Sequence, residues 1–548
     1  MPQETGKTPC IPPKPPSTGN AYISSNILTN NALLALQAGR ALSCFVGLAA
    51  LVTLSGCVGS STSSPGGSSG PAHNYVCDSG TFGGSASVSQ LNPFFGMHVH
   101  SLEPSTSGGN GTPWPSTIPL SDPSDTVQFA RLRLWDSGTG WAEINTASGT
   151  CDFSHMDSWL TEAEANNTEV LYDLGRTPTW ASSNPNDTTC SYADSNDSGP
   201  GQCDPPTDLN SDGTGADAIW IGWVTSVANR YKGQIKYYEI WNEWNISLFW
   251  TGTPQQMVRM TQDARCVIEG PPAGSSCNSE STFPEGTGID TDARVITPAP
   301  VGSAAHLDGA SKQMTAFLSS QAGGNGPGDF FDVVGFHCYV SQPQPGMGFP
   351  IPENVLTVNG DLNSTLQSFS SIVQGKPVFC TEGGFGNVVP EDFTDPSLQA
   401  AFLARFYLLQ NVSIVSRVYW YAWDDTSTNP GGLWDPSTGP KPAATAYAEV
   451  YNWITGATAS GPCSEILNTT IYTCGFTRAN GYQALAVWDS NPAASCYKAG
   501  VPSTCSSFTI PAPFTLSRNL SGSETGVTPG SAIQLSAAPI LLETGPLP

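Results

Sequence analysis

Charge is scarce in this chain. Only 12% of its 548 residues are Asp, Glu, Lys or Arg, and 57 Gly and 46 Pro stand among them. That composition excludes a coiled coil or a disordered chain and describes a loop-rich globular protein. Positive charge is scarcer still: 20 Lys and Arg face 45 Asp and Glu, a formal net charge of -25. Such a surface disfavours nucleic acid and anionic membrane as partners. No internal repeat is visible. The apolar run near the N-terminus, Ala41 to Leu54, is interrupted by Ser43, Cys44, Gly47 and Thr53 and is too short to span a bilayer comfortably.

That run has the length of a signal-peptide core, and it ends in Leu54-Ser55-Gly56-Cys57, which resembles a bacterial lipobox. The expectation is cleavage before Cys57 and lipidation of its sulfur, in an exported cell-envelope protein; an ordinary signal peptide cut nearby is the alternative. Removing residues 1–57 leaves an even number of the 15 cysteines, as suits an exported chain with disulfides. Cys190 with Cys203, Cys266 with Cys277, Cys463 with Cys474, and Cys496 with Cys505 each close a short loop, and Cys77 with Cys151 is a further candidate. Cys338 and Cys380 lie on strands expected to be neighbours, but strict alternation aims one outward and the other inward, which argues against that bridge.

Residues 58–73 are Ser/Gly/Pro-rich and read as a tether. Residues 74–90 have a weak strand pattern. From there strand-like and helical runs alternate, the pattern of a parallel sheet wrapped by helices. The expected strands are 94–100, 127–136, 168–175, 236–243, 294–299, 332–340, 377–383 and 417–425. The expected helices are 154–166, with Ser154 as N-cap and Asp157 three residues on, then 217–231, 254–268, 310–321, 362–373 and 396–410. Beyond about residue 455 the helical pattern stops. Short runs at 484–488, 507–510 and 532–535, separated by Gly, Pro, Asn and Ser, read as an all-β sandwich spanning 456–548. The fold class expected is thus α/β, a (β/α)8 TIM barrel over 91–455 with a C-terminal β-sandwich.

Two of the strands end in a carboxylate. K-Y-Y-E-I-W-N-E-W (236–244) places Asn242 and Glu243 at a strand end, and K-P-V-F-C-T-E-G-G (376–384) does the same with Glu382. Two strand-end glutamates in such a chain suit acid/base and nucleophilic work on one bond. W-N-E followed by T-E-G-G resembles the glycoside hydrolases of clan A, and within it most resembles the family 39 glycosidases, over residues 91–455.

The resemblance implies that Glu243 is the acid/base and Glu382 the nucleophile, with Asn242 bonding the sugar 2-hydroxyl. It implies that Arg133, at the end of the second strand, keeps the nucleophile ionised. On the sixth strand Tyr339 would bond the nucleophile and His337 orient the acid/base, and Trp423 would floor the subsite of the cleaved sugar. T-P-x-W after the third strand also resembles family 39, so Trp180 is a candidate sugar platform, with loop packing as the alternative. Trp135 and Asp136 belong to the rim. His98 and His100 face one way; lacking an acidic or cysteine partner at ligand spacing, they suit sugar contacts or buried hydrogen bonds better than a metal. One departure from the family is Trp244, where the clan usually has Pro.

The family implies a retaining hydrolase of β-linked glycans, β-xyloside-like or exopolysaccharide, with an oligo- or polysaccharide partner, no cofactor or metal, and membrane attachment only through the lipid anchor. An endo-β-glucanase of the same clan and a non-catalytic glycan-binding lipoprotein are the alternatives. N-terminal leader strands at 74–90 would join the β-domain. Residues 181–216 and 342–352 are the expected cleft walls. Asp208 to Gly213 looks like half a calcium loop, but Ile219 stands where the bidentate Glu belongs, so an acidic turn is expected.

Overall fold

The computed structural model describes residues 74–77, 80–84, 89–102, 111–120, 125–190, 199–281, 287–302, 308–340, 351–386, 394–424, 431–491 and 506–547. Cys57, the tether, the Cys496–Cys505 pair and residues 342–350 of one expected wall lie outside them.

Eight parallel strands form the centre: β1 (Phe95–His98), β2 (Arg131–Leu134), β3 (Glu169–Leu174), β4 (Ile235–Ile240), β5 (Arg294–Ile296), β6 (Val334–His337), β7 (Val378–Gly384) and β8 (Val415–Tyr421). All eight fall on expected stretches. They pair in the order β5-β4-β3-β2-β1-β8-β7-β6. The circle closes between β5 and β6, where Ile296 bridges Val333 and the Thr297 N–H donates to the Val333 carbonyl at 3.0 Å. This is the (β/α)8 barrel expected. Both faces of most of its strands are buried, which is why several are rich in apolar residues, although β2 alternates Arg131-Leu132-Arg133-Leu134.

The lumen is a packed core. Leu171, Tyr237, Ile296, Phe379 and Tyr419, from five strands, and Val333, just before β6, form one cluster inside it. Gly96 on β1 leaves room for the Tyr419 ring, since a Cβ there would lie 2.6 Å from it. On this plug rests a polar layer at the C-terminal ends of the strands, where such barrels carry their sites.

Helices at Ser154–Ala165, Ala218–Arg230, Pro254–Ile268, Gly309–Ser319 and Pro396–Asn411 lie close to the expected ranges. The third has Pro254 in its first turn and a reciprocal capping box between Thr253 and Gln256. Ser154 is not the N-cap of the first. Its own N–H is capped by Asp152 Oδ1 at 3.0 Å, and Asp157 instead binds Arg230 and Tyr231. The expected 362–373 helix starts earlier, running Asn354–Ser368 and then Ser370–Val373. Gly360 and the β-branched residues of its first half are weak helix formers and hid that start. The helix after β8, Pro442–Ile454, was not expected. It is buried on nearly all sides, so it lacks the polar stripe that reveals an amphipathic helix.

Five disulfides stand among the described residues: Cys77–Cys151, Cys190–Cys203, Cys266–Cys277, Cys338–Cys380 and Cys463–Cys474. They suit an extracellular or periplasmic protein. No helix among the described residues is long and apolar enough to cross a membrane. The Cys338–Cys380 bridge overturns the parity argument. β6 and β7 run in step to Phe336–Cys380, then jump to His337–Glu382, so Thr381 is an extra residue on β7. That bulge lets Cys380 point out to its partner while Glu382 points in.

The described part of 74–90 forms no strand and lies against the barrel helices rather than the β-domain. Cys77 N–H donates to Ser226 Oγ at 2.9 Å and Phe82 N–H to the Arg230 carbonyl at 2.9 Å, beside the Cys77–Cys151 bridge. In the C-terminal region Ile471–Thr477, Gln483–Asp489 and Ile540–Glu543 pair antiparallel in one sheet, and Ser507–Thr509 pairs with Ala532–Gln534 in a second. Ile471, Val487, Ile510, Phe514, Leu535 and Leu542 form a common core, giving the expected sandwich. It is fixed to the barrel through Trp488, whose Nε1–H donates to Glu353 at 2.7 Å, a carboxylate also held by Arg405.

Candidate active site

The polar layer is organised by one guanidinium. Arg133, on β2, has no exposed surface, so each of its N–H groups must find an acceptor inside the barrel. Nε donates to Glu239 at 2.6 Å, Nη1 to Glu382 Oε2 at 2.9 Å, and Nη2 to Asp173 at 2.6 Å and to Asn242 Oδ1 at 3.0 Å. Burial disfavours its charge, but Glu239, Asp173 and Glu382 together more than offset this and raise its pKa. Asp173 is held well above the carboxylate range by burial first, with Glu239 and Glu382 adding to it.

Glu382 receives one donor on each oxygen: Arg133 on Oε2, and the Tyr339 hydroxyl on Oε1 at 2.7 Å. Burial raises its pKa and the Glu243 charge adds to that, while His337, Arg133 and the Tyr339 hydrogen bond oppose. Glu243 lies across the mouth of the barrel. One oxygen of each glutamate and a ring nitrogen of His337 lie within 4.8 Å of one another. His337 Nδ1 is 2.9 Å from Glu243 Oε1, and its Nε2 is 3.5 Å from Arg133 Nη2. Arg133 can only donate, so Nε2 is the acceptor and Nδ1 carries the proton, which it donates to Glu243. Burial pushes His337 down to about 4, so it is neutral at pH 7. Burial also pushes Glu243 up to about 8, with Asp136 adding to the rise and Arg133 opposing it. Glu243 thus holds its proton at neutral pH.

The chain reaches Glu243 through unusual backbone. β4 ends at Ile240, and both Trp241 and Glu243 have positive φ, 66° and 39°. Such conformations cost about 1–3 kcal/mol each in a non-glycine residue. A buttress supports them: Trp241 Nε1–H donates to the Phe249 carbonyl at 2.8 Å, and its ring meets that of Trp250 edge-on at 4.7 Å.

The other expected residues sort into three groups. Arg133, Asn242, Glu243, His337, Tyr339 and Glu382 come together as described. Asp136 borders them: it accepts from the Tyr421 hydroxyl at 2.7 Å and from Arg176 at 2.9 Å. His98 is buried beneath, its Nε2 3.1 Å from the Thr381 carbonyl, and burial holds its pKa well below the usual value. Trp423 is fully buried, and its backbone N–H donates to the His98 carbonyl at 2.9 Å. His100 is half-buried against Tyr421, with its N–H donating to Asp424 at 2.8 Å. Trp135 is buried, not at the rim, because the Arg176 guanidinium covers its face at 4.7 Å. Trp180 stands apart: its ring stacks on Tyr75 and its Nε1–H donates to the Asn145 carbonyl at 2.8 Å, which is loop packing. Asp208 to Gly213 forms a tight turn, with Arg259 donating to the Gly213 carbonyl at 3.1 Å.

Glu239, Asp173, Arg176 and Tyr421 were not expected at the site. Glu239 and Asp173 carried a signal: each is a carboxyl inside an apolar strand of a barrel, at even spacing from the lumen residues Tyr237 and Leu171.

No protein-family model matches the chain, and no curated protein matches it. Among solved structures it is similar to a monomeric beta-xylosidase from Caulobacter crescentus CB15, at 14% identity and TM-score 0.48, covering 84% of this chain and 97% of that one. It is also similar to a GH39 enzyme from Xanthomonas axonopodis pv. citri, at 16% identity and TM-score 0.47, with 84% and 95% covered. A glucosidase from Croceicoccus marinus has 12% identity and TM-score 0.46, with 84% and 97% covered.

Proposed function

We propose that the protein is a retaining glycoside hydrolase of β-linked glycans. The observation that carries this is the pair of glutamates at the ends of β4 and β7, with oxygens within 4.8 Å. Retaining enzymes hold their two carboxyl groups about 5–5.5 Å apart, whereas inverting enzymes leave room for a water between them.

Glu382, ionised and held by Arg133 and Tyr339, attacks the anomeric carbon. Glu243, protonated at neutral pH, gives its proton to the departing glycosidic oxygen. Its Oε1 accepts from His337, so the proton resides on Oε2. The glycosyl–enzyme ester formed on Glu382 is then cleaved by water, whose proton returns to Glu243, and both glutamates regain their starting states. The strand-end motifs support β-xylosides or exopolysaccharides as substrates. The carboxyl-rich mouth agrees with a neutral glycan, because Arg133 is already shared among three carboxyls. The disulfides support an exported protein, and the lipobox-like stretch supports a lipid anchor at Cys57.

The test is hydrolysis of β-linked polysaccharides and aryl β-glycosides by the chain from Ser60 onward, beside Glu382→Ala, with the first-formed anomer read by proton NMR. Turnover with retained configuration, lost in the variant, is expected. Inverted product would refute the mechanism. Internal cuts in β-glucan would favour the endo-β-glucanase alternative, and binding without turnover in both proteins a glycan-capture lipoprotein.

A further inference from the structure

Glu239 has no part in the double displacement, yet it makes one of the two shortest contacts to Arg133. It is fully buried on β4, and only its Oε2 is engaged; Oε1 has no hydrogen-bond partner. An isolated guanidinium beside a carboxylate prefers a two-pronged grip, with two parallel N–H donors on the two oxygens. Glu382 is not gripped that way. Arg133 touches only its Oε2, and Tyr339 takes Oε1.

We propose that Glu239 is a positioning residue for the nucleophile: by holding Nε of Arg133 it turns the planar guanidinium so that a single N–H group reaches Glu382. This rests on the glycosidase reading for its catalytic meaning, but the geometry stands by itself. The guanidinium fork is rigid, so fixing Nε fixes the directions of both Nη groups. One then faces Glu382, and the other faces Asp173 and Asn242. The same contact divides the positive charge. A guanidinium facing Glu382 alone would stabilise its carboxylate more strongly and make it a weaker nucleophile. Asp173 shares Nη2 with Asn242, so it holds the fork from its other prong rather than at Nε. Space around Glu239 is also reserved: a Cβ on Gly335 would lie 3.0 Å from its Oε1.

The experiment compares Glu239→Gln, Glu239→Asp and Asp173→Asn with the wild type. The readouts are kcat, KM, pH profile, melting temperature and the carboxyl 13C titration of Glu382, assigned with Glu382→Gln. Glu239→Gln keeps an acceptor for Nε but removes the charge. Glu382 is expected to titrate about one pH unit lower, as fits a stronger opposite charge nearby. The acid limb of kcat/KM should follow it, with kcat down about tenfold and KM little changed. Glu239→Asp keeps the charge but withdraws the oxygen, so kcat should fall with the limb nearly in place. Asp173→Asn leaves the Nε contact in place and should move the titration of Glu382 less than Glu239→Gln does. An unmoved titration in Glu239→Gln overturns the proposal, as does a loss of kcat that merely tracks a lower melting temperature. A moved titration in a protein that hydrolyses no glycan would uphold the positioning role and refute the glycosidase reading.

Discussion

Replacing Glu243 by Gln should make the protein more stable in alkali. Burial pushes this carboxyl from its ordinary 4.5 up to about 8. Below pH 4.5 it is protonated whether the chain is folded or not, so it adds no pH dependence there. Between 4.5 and about 8 the folded chain keeps a proton that the unfolded chain has released. Stability therefore falls as pH rises through that window, and the loss is complete above it. At 1.36 kcal/mol per pH unit the full gap corresponds to about 5 kcal/mol. The side chain is 12% exposed, and water at its edge trims the figure, leaving about 3–5 kcal/mol. Glu243→Gln removes the titration while its amide oxygen still accepts from His337 Nδ1. Urea unfolding of both proteins at several values between pH 4 and 9 should give nearly equal stability at the acid end. The variant should draw ahead by about 3–5 kcal/mol at the alkaline end. Parallel stability curves across the whole range would refute the claim that Glu243 is a buried, proton-holding acid.

The same titration sets the activity profile: kcat/KM should fall above about pH 8 as Glu243 ionises, with an acid limb above the ordinary carboxylate value because burial raises Glu382. Initial rates on an aryl glycoside against pH would show both limbs. Glu243→Ala should lose about 10²–10⁴ in rate on a glycoside with a poor leaving group and far less on a nitrophenyl glycoside, whose leaving group needs no proton. Tyr339→Phe deletes a hydrogen bond to a charged acceptor, about 1.5–3 kcal/mol, and should lower kcat/KM about 10- to 100-fold. Gly383→Ala would place a Cβ 2.8 Å from Cys338 Sγ and 3.1 Å from both Cys380 Sγ and the Phe406 ring. Its cost should be about 1–3 kcal/mol by chemical denaturation.

Much of this arrangement is written locally in the chain. Most barrel strands announce themselves by an apolar or aromatic run, while β2 alternates Arg and Leu, and strand-end carboxyls such as Glu243 and Glu382 stand out against such strands. What stayed hidden depends on pairing between distant segments. The Thr381 bulge is a mismatch between β6 and β7, and neither strand shows it alone; without it, Cys338 and Cys380 seemed to point opposite ways. The left-handed turns at Trp241 and Glu243 contradict the local preference of both residues, and Phe249 and Trp250, in the loop beyond the strand, hold the Trp241 side chain. Sequence could not choose between the two readings of Trp180, since an exposed sugar platform and a ring packed on Tyr75 look alike in it, and it does not show that Arg176 covers Trp135. Asp173 and Glu239, by contrast, were legible by strand parity once the lumen face was known.

The bulge on β7 has a consequence for how this site can change over time. A single surplus residue sets the aim of two neighbours at once, the carboxylate that faces the lumen and the sulfur that faces outward. Were β7 to run straight past Thr381 without the bulge, Cys380 and Glu382, two residues apart, would share a face, and the bridge to Cys338 and an inward Glu382 could not both form. The covalent bond and the inward carboxylate thus both depend on the kink at Thr381. Formation of this bridge and the orientation of Glu382 are therefore inherited together.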